Sequence, residues 1–130
     1  MNHQLAFLGL GVMGLPMTKN LFNANCSIKA WNRRCDRTPV QNLNQETSLE
    51  ILDTIEETVK DAEIIFTCVS DVPDVEEVLI SDKGVINFAE PHALVVDFST
   101  IGTEAVKNIA QKLEEKQIRF LDAPISGGDI

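Results

Sequence analysis

An apolar run leads directly into Gly9, Gly11 and Gly14 in the stretch Leu5-Ala-Phe-Leu-Gly-Leu-Gly-Val-Met-Gly14, which spells G-x-G-x-x-G. Strand, then glycines, then helix is the order in which a backbone can close around a dinucleotide pyrophosphate. On that reading Gly9 permits the tight turn off the strand. Gly11 lets the main chain approach the phosphates with no Cβ in the way, and Gly14 lets the helix pack close to the strand. Leu10, Val12 and Met13 complete the loop, where the free N–H groups and dipole of the helix face the anion. Glycines also mark ordinary tight turns, so the flanks matter. Leu5, Phe7 and Leu8 precede the motif, and Met13, Met17, Leu21 and Ala24 follow at helical spacing. Pro16 falls in the first helical turn, where its missing N–H costs little.

Length and charge narrow the classes. The 130 residues suit one domain with a substantial core. A net charge of −9 argues against nucleic acid or an anionic membrane as partner, because both demand a basic face. It leaves room for a phosphorylated cofactor held by one or two arginines. Cys26, Cys35 and Cys68 form no C-x-x-C pair, and histidines do not cluster, so reduced thiols are expected rather than disulfides or a metal site. The start of the chain has no signal-like basic region and apolar core, and the longest apolar runs are strand-sized. The expected location is cytoplasmic.

Strand-like and helix-period segments alternate along the whole chain. Gln4–Leu8 reads as a strand, Val12–Asn23 as a helix and Ser27–Trp31 as a second strand. A polar loop or short helix follows over Arg33–Asn44, then a weak edge strand near Ser48–Leu52. Thr54-Ile-Glu-Glu57 is a capping box, with Thr54 over the helix end and Glu57 reaching back. Its helix carries Ile55, Val59 and Ala62 on one face. Glu63–Val69 reads as a fully buried strand, Asp71–Ser81 as a helix, Ala93–Phe98 as a strand, Thr103–Gln117 as a helix and Arg119–Ala123 as the start of a sixth strand. Such alternation implies an α/β fold of Rossmann type, a doubly wound parallel sheet with helices on both faces.

The end of the second strand bears on which nucleotide would bind. An acid some twenty positions after the glycines would hold the ribose 2′-hydroxyl of NAD. Here Trp31-Asn-Arg-Arg34 stands instead, with no acid before Asp36. Asn32 can hydrogen-bond the ribose or its phosphate. Arg33 or Arg34 can pair with a 2′-phosphate through a planar guanidinium, and Arg33 is the first choice. That favours NADP(H). The alternative is an arginine pair in a solvated loop.

Four motifs now stand in order: Gly9-Leu-Gly-Val-Met-Gly-Leu-Pro-Met17, Trp31-Asn-Arg33, Asp97-Phe-Ser-Thr100 and Asp122-Ala-Pro-Ile-Ser-Gly-Gly128. Together they resemble the β-hydroxyacid dehydrogenase family, which includes 3-hydroxyisobutyrate dehydrogenases and the tartronate-semialdehyde and glyoxylate/succinic-semialdehyde reductases. The resemblance covers essentially the whole chain as the family's NADP-binding domain. It implies that Cys68, Val69 and Ser70, at the end of the fourth strand, lie along the nicotinamide side of the cofactor, and that Thr100 contacts it there. Thr100 could instead cap the helix at Thr103. The resemblance also implies that Ser126, Gly127 and Gly128 form the loop for the substrate carboxylate, a small anion nest. A simple strand-end turn is the other possibility.

What the family does follows as expectation: hydride passes between NADP(H) and a small carboxylate-bearing aldehyde or hydroxy acid. A lysine well downstream quenches the charge that builds on the carbonyl oxygen. Lys19, Lys29, Lys60, Lys83, Lys107, Lys112 and Lys116 all precede the substrate loop, so that lysine is expected beyond Ile130. No catalytic residue is assigned within the chain. The family's all-α second domain, which makes most of the contact in a homo-oligomer, is expected beyond the same point. A non-catalytic NADP-binding module or a truncated gene product is the alternative from another class. 6-Phosphogluconate dehydrogenase and imine reductase relatives are the alternative enzymes.

Overall fold

The computed structural model describes residues 3–33, 39–42 and 47–125. Its core is a six-stranded sheet of β1 (Gln4–Leu8), β2 (Ser27–Trp31), β3 (Glu50–Leu52), β4 (Ile64–Thr67), β5 (Leu94–Asp97) and β6 (Arg119–Asp122). The spatial order is β3-β2-β1-β4-β5-β6, with every neighbouring pair parallel. Among the described residues the connections include α1 (Gly14–Asn23), α2 (Ile55–Val59), α3 (Val72–Ile80) and α4 (Thr103–Glu114), with a 3-10 turn at Val85–Asn87 and helical residues at 39–42. Among the described residues no helix is long and apolar enough to cross a membrane.

Period-two alternation along β1 divides the interior. Ala6 and Leu8 face a cluster built from α2, α3 and α4, including Ile55, Val59, Val75, Leu79, Ile109 and Leu113. Leu5 and Phe7 face the other layer, where Leu15, Met17 and Leu21 of α1 pack beside Ile28, Ala30 and Val40. On this second face Phe7 of β1, Phe66 of β4 and Phe98, the residue after β5, stack with ring centroids 5.7–6.5 Å apart. A strand buried on both sides has no polar face to show, which is why β1 reads as a continuous apolar run.

β1 and β2 fall where the sequence places them, and the other elements shift at their ends. α1 starts at Gly14 rather than Val12, because Gly11-Val-Met13 forms the turn that leads into it. β3 is only the three residues Glu50–Leu52, short as befits the sheet's edge. β4 is Ile64–Thr67, shorter than the Glu63–Val69 run, and β5 and β6 likewise lose residues at their ends. α4 stops at Glu114, and the chain turns through Gln117 at φ 62° to enter β6.

Side chains cap two helices, α2 at Thr54 as the sequence foretells and α3 at Asp71, which lies just outside the helix rather than within it. Thr54 Oγ1 accepts from the Glu57 N–H at 3.1 Å, and Asp71 Oδ1 accepts from the Asp74 N–H at 3.2 Å. The capping box is incomplete, however. The Glu57 carboxylate accepts from the Thr54 hydroxyl at 2.9 Å and does not reach back to the main chain.

Candidate functional site

Strand order reverses direction at β1: the chain leaves it toward β2 and β3, then crosses to β4, β5 and β6. At such a switch point the loops at the carboxyl ends of the strands part and leave a crevice. Here the ends of β1, β2 and β4 with the start of α3 enclose a cleft of about 210 Å³. Gly9, Gly11, Trp31, Asn32, Arg33, Cys68, Val69, Ser70, Asp74 and Val78 line it.

The three glycines have three different surroundings. Gly9 has φ 110°, in the left-handed region, and a Cβ there would collide with the Cys68 carbonyl oxygen. This contact lets the chain ends of β1 and β4 close together. Cys68 N–H donates to the Leu8 carbonyl at 3.0 Å and Gly9 N–H to the Trp31 carbonyl at 2.8 Å. A Cβ on Gly14 would collide with the Gly9 carbonyl oxygen and press the Phe7 ring at 3.1 Å, so α1 lies directly on the turn. A Cβ on Gly11 would meet nothing within 4 Å, since this residue borders open space at the cleft. The first turn of α1 carries no side-chain cap and no acid. A backbone that is open at Gly11, with an uncapped helix end behind it, fits a pyrophosphate.

Asn32 braces this loop: its Oδ1 accepts from the Leu10 N–H at 2.9 Å. Arg33 lies on the cleft wall, where Nη2 donates to Asp74 Oδ1 at 3.0 Å and to Glu77 Oε2 at 2.5 Å. Val12 is exposed beside the glycines. Thr100 is exposed, is not among the cleft-lining residues and does not cap α4. The N-cap residue of that helix is Gly102, so no side chain caps it. Arg34, Ser126, Gly127 and Gly128 lie outside the described residues.

A buried carboxylate stands behind the cleft. Asp97, at the end of β5, is fully buried; its Oδ1 accepts from the Thr67 hydroxyl at 2.7 Å and the Ser99 N–H at 3.2 Å. Its Oδ2 is buried and has no hydrogen-bond partner among the described residues. Burial pushes its pKa above the ordinary value, and the neighbouring charge of Asp122 adds to that, against the hydrogen bonds from Thr67 and Ser99. Ser99 Oγ in turn accepts from the Val69 N–H at 3.0 Å, so the network ties the β5 turn to the β4 turn that lines the cleft. The half-buried Cys68 thiol is also pushed up, first by burial and then by the charge of Asp97. Sequence reasoning missed Asp74, Glu77 and this network. The available signals were the Asp97-Phe-Ser99 spacing, already part of a quoted motif, and the i, i+3 acids on the helix after β4.

A parallel sheet in this order, with a glycine-rich turn off its first strand at the switch point, defines a dinucleotide-binding Rossmann domain. Residues 4–130 match the family described as the NAD binding domain of 6-phosphogluconate dehydrogenase, and the chain belongs to that family. It is 38% identical to an uncharacterized oxidoreductase of Synechocystis sp. over 127 residues, covering 98% of this chain and 43% of that protein. It is 34% identical to the oxidoreductase YkwC of Bacillus subtilis over 130 residues, covering 100% of this chain and 44% of the relative. Among solved structures, it superimposes on 3-hydroxyisobutyrate dehydrogenase of Mycobacterium tuberculosis, in complex with L-serine, with TM-score 0.81. That match has 27% identity and covers 98% of this chain and 42% of the other. The chain thus spans less than half the length of these relatives. It is an NAD(P)-binding domain of the dehydrogenase-like oxidoreductases.

Proposed function

We propose that this chain binds NADP(H) in the cleft and forms the cofactor half of an oxidoreductase acting on a small 3-hydroxy acid or semialdehyde. The observation that carries the cofactor choice is Arg33 on the cleft wall immediately after β2, at the place where an NAD-binding domain carries an acid. Gly11, Val12, Met13 and Gly14 would hold the pyrophosphate on main-chain N–H groups, while Gly9 and Leu10, whose own N–H groups bond the Trp31 carbonyl and Asn32 Oδ1, would shape the turn around it. Asn32 and Arg33 would hold the adenosine ribose and its 2′-phosphate. Cys68, Val69 and Ser70 would bound the nicotinamide side, with Thr100 beyond them. When bound, the cofactor supplies or accepts the hydride.

For the substrate, support comes from the likeness to a 3-hydroxyisobutyrate dehydrogenase that holds the small amino acid L-serine. Ser126, Gly127 and Gly128 would receive the substrate carboxylate, in line with the family resemblance. No residue of this chain is assigned as proton donor.

Titration calorimetry with NADPH and NADH, followed in parallel by fluorescence of Trp31, tests the reading. Trp31 is the chain's single tryptophan and lines the cleft. A charge-assisted contact to a phosphate contributes about 1.5–3 kcal/mol, so NADPH should bind at least about tenfold tighter than NADH. Arg33→Ala should abolish that preference. Equal affinities in the unaltered chain would overturn the NADP(H) assignment.

A further inference from the structure

Arg33 already has partners on the cleft wall. A single nitrogen of its guanidinium bridges Asp74 and Glu77, residues 41 and 44 positions further along the chain. Both acids come from α3, three residues apart and therefore on one face of that helix. The bridge stands where two cavities adjoin. Arg33 and Asp74 line the glycine cleft, and Glu77 lines a neighbouring hollow of about 780 Å³ that shares Trp31 and Val78 with it.

The charges make this arrangement consequential. One guanidinium set between two carboxylates leaves the trio with net negative charge, at the very place proposed for a phosphate. A phosphomonoester carries about −1.5 to −2 charge at neutral pH. Bringing it onto Arg33 means drawing the guanidinium off at least one carboxylate, or seating the phosphate beside both acids. A ribose 2′-hydroxyl meets neither penalty. It is uncharged, and a carboxylate is the very group that accepts from it in NAD sites.

We infer that Asp74 and Glu77 are specificity-determining residues, which hold Arg33 back from a 2′-phosphate and so narrow the cleft's preference for NADP(H) over NAD(H). This rests on the reading above that Arg33 receives the 2′-phosphate. The two acids act through Arg33 and through their own field, and neither takes part in chemistry. Glu77 is well exposed and Asp74 partly so, which makes the effect moderate rather than absolute.

The test measures Kd for NADPH and NADH by calorimetry on the full chain, with 2′,5′-ADP and 5′-AMP as probes confined to the adenosine end. The variants are Glu77→Gln, Asp74→Asn/Glu77→Gln and Arg33→Ala, each checked for an unchanged circular dichroism spectrum. Releasing one exposed ion pair should tighten NADPH and 2′,5′-ADP about 3-fold, and releasing both about 10-fold, with NADH and 5′-AMP moving less than about 2-fold. Glu77→Gln alone decides the matter should the double variant fold poorly. Unchanged or weaker NADPH binding in Glu77→Gln, with the preference still lost in Arg33→Ala, overturns this inference and leaves the NADP(H) reading standing. A preference that survives Arg33→Ala overturns the role of Arg33 itself, and the inference with it.

Discussion

Alanine at Gly14 and alanine at Gly11 should separate the two duties of the glycine turn. At Gly14 the new Cβ would fall well inside 3.0 Å of the Gly9 carbonyl oxygen and 3.1 Å from the Phe7 ring. Neither neighbour can yield. The carbonyl belongs to a turn held by the Gly9 N–H to Trp31 bond, and Phe7 is fully buried in the stack with Phe66 and Phe98. Helix α1 must therefore lift off β1, at the upper end of the overpacking range of about 1–3 kcal/mol. For a chain of this size such a loss lowers Tm by about 10 °C. At Gly11 the Cβ meets no atom within 4 Å and the backbone is not left-handed, so stability should stay within about 1 kcal/mol, with a slight gain from the stiffer unfolded chain. Yet that methyl group would stand where the main chain must approach a pyrophosphate, and a loss of about 1.4 kcal/mol or more there weakens binding at least tenfold. Thermal melts followed by circular dichroism, paired with NADPH titrations of each variant, read both quantities. A Gly11→Ala chain that melts as early as Gly14→Ala, or binds cofactor as tightly as the unaltered chain, would contradict this division of duties.

Two further expectations concern the buried groups behind the cleft. Asp97 binds its proton more tightly folded than unfolded, so its contribution to stability falls as pH rises from the unfolded value of 3.8 through the raised folded one, and is flat above it. Asp97→Asn keeps an acceptor for Thr67 and Ser99 while removing the charge. It should be at least as stable as the parent at pH 7 and lack that falling segment in a pH series of urea melts; a loss above about 2 kcal/mol at pH 7 would show that the ionised form stabilises the fold. Cys68, with its thiol pushed up by burial and by Asp97, should react with a thiol-disulfide reagent at pH 7.5 more slowly than a free cysteine, and Asp97→Asn should speed it. A Cys68 rate matching free cysteine would contradict the placement of that thiol.

What could be read from the chain alone was whatever local chemistry decides. The end of β1 follows from an apolar run cut off by Gly9, the Thr54 cap from the capping-box spacing, and the turn of β1 into α1 from glycine spacing. None of these depends on residues far away in sequence. The alternation of strands and helices even implied a parallel sheet, since short connections through helices allow little else.

Tertiary structure decided the rest, because it brought together groups that no local pattern links. Arg33 meets Asp74 and Glu77 only because β2 and the start of α3 flank the same crevice, and one sequence cannot announce an ion pair across 41 positions. Asp97 is buried beside a hydroxyl and a second carboxylate only because β4 and β6 lie on either side of β5, placing Thr67 and Asp122 in register with it. Even the glycines divide this way. Their presence is a matter of sequence, but which one turns the chain, which one admits the helix and which one faces the open cleft is a matter of what each Cβ would have touched.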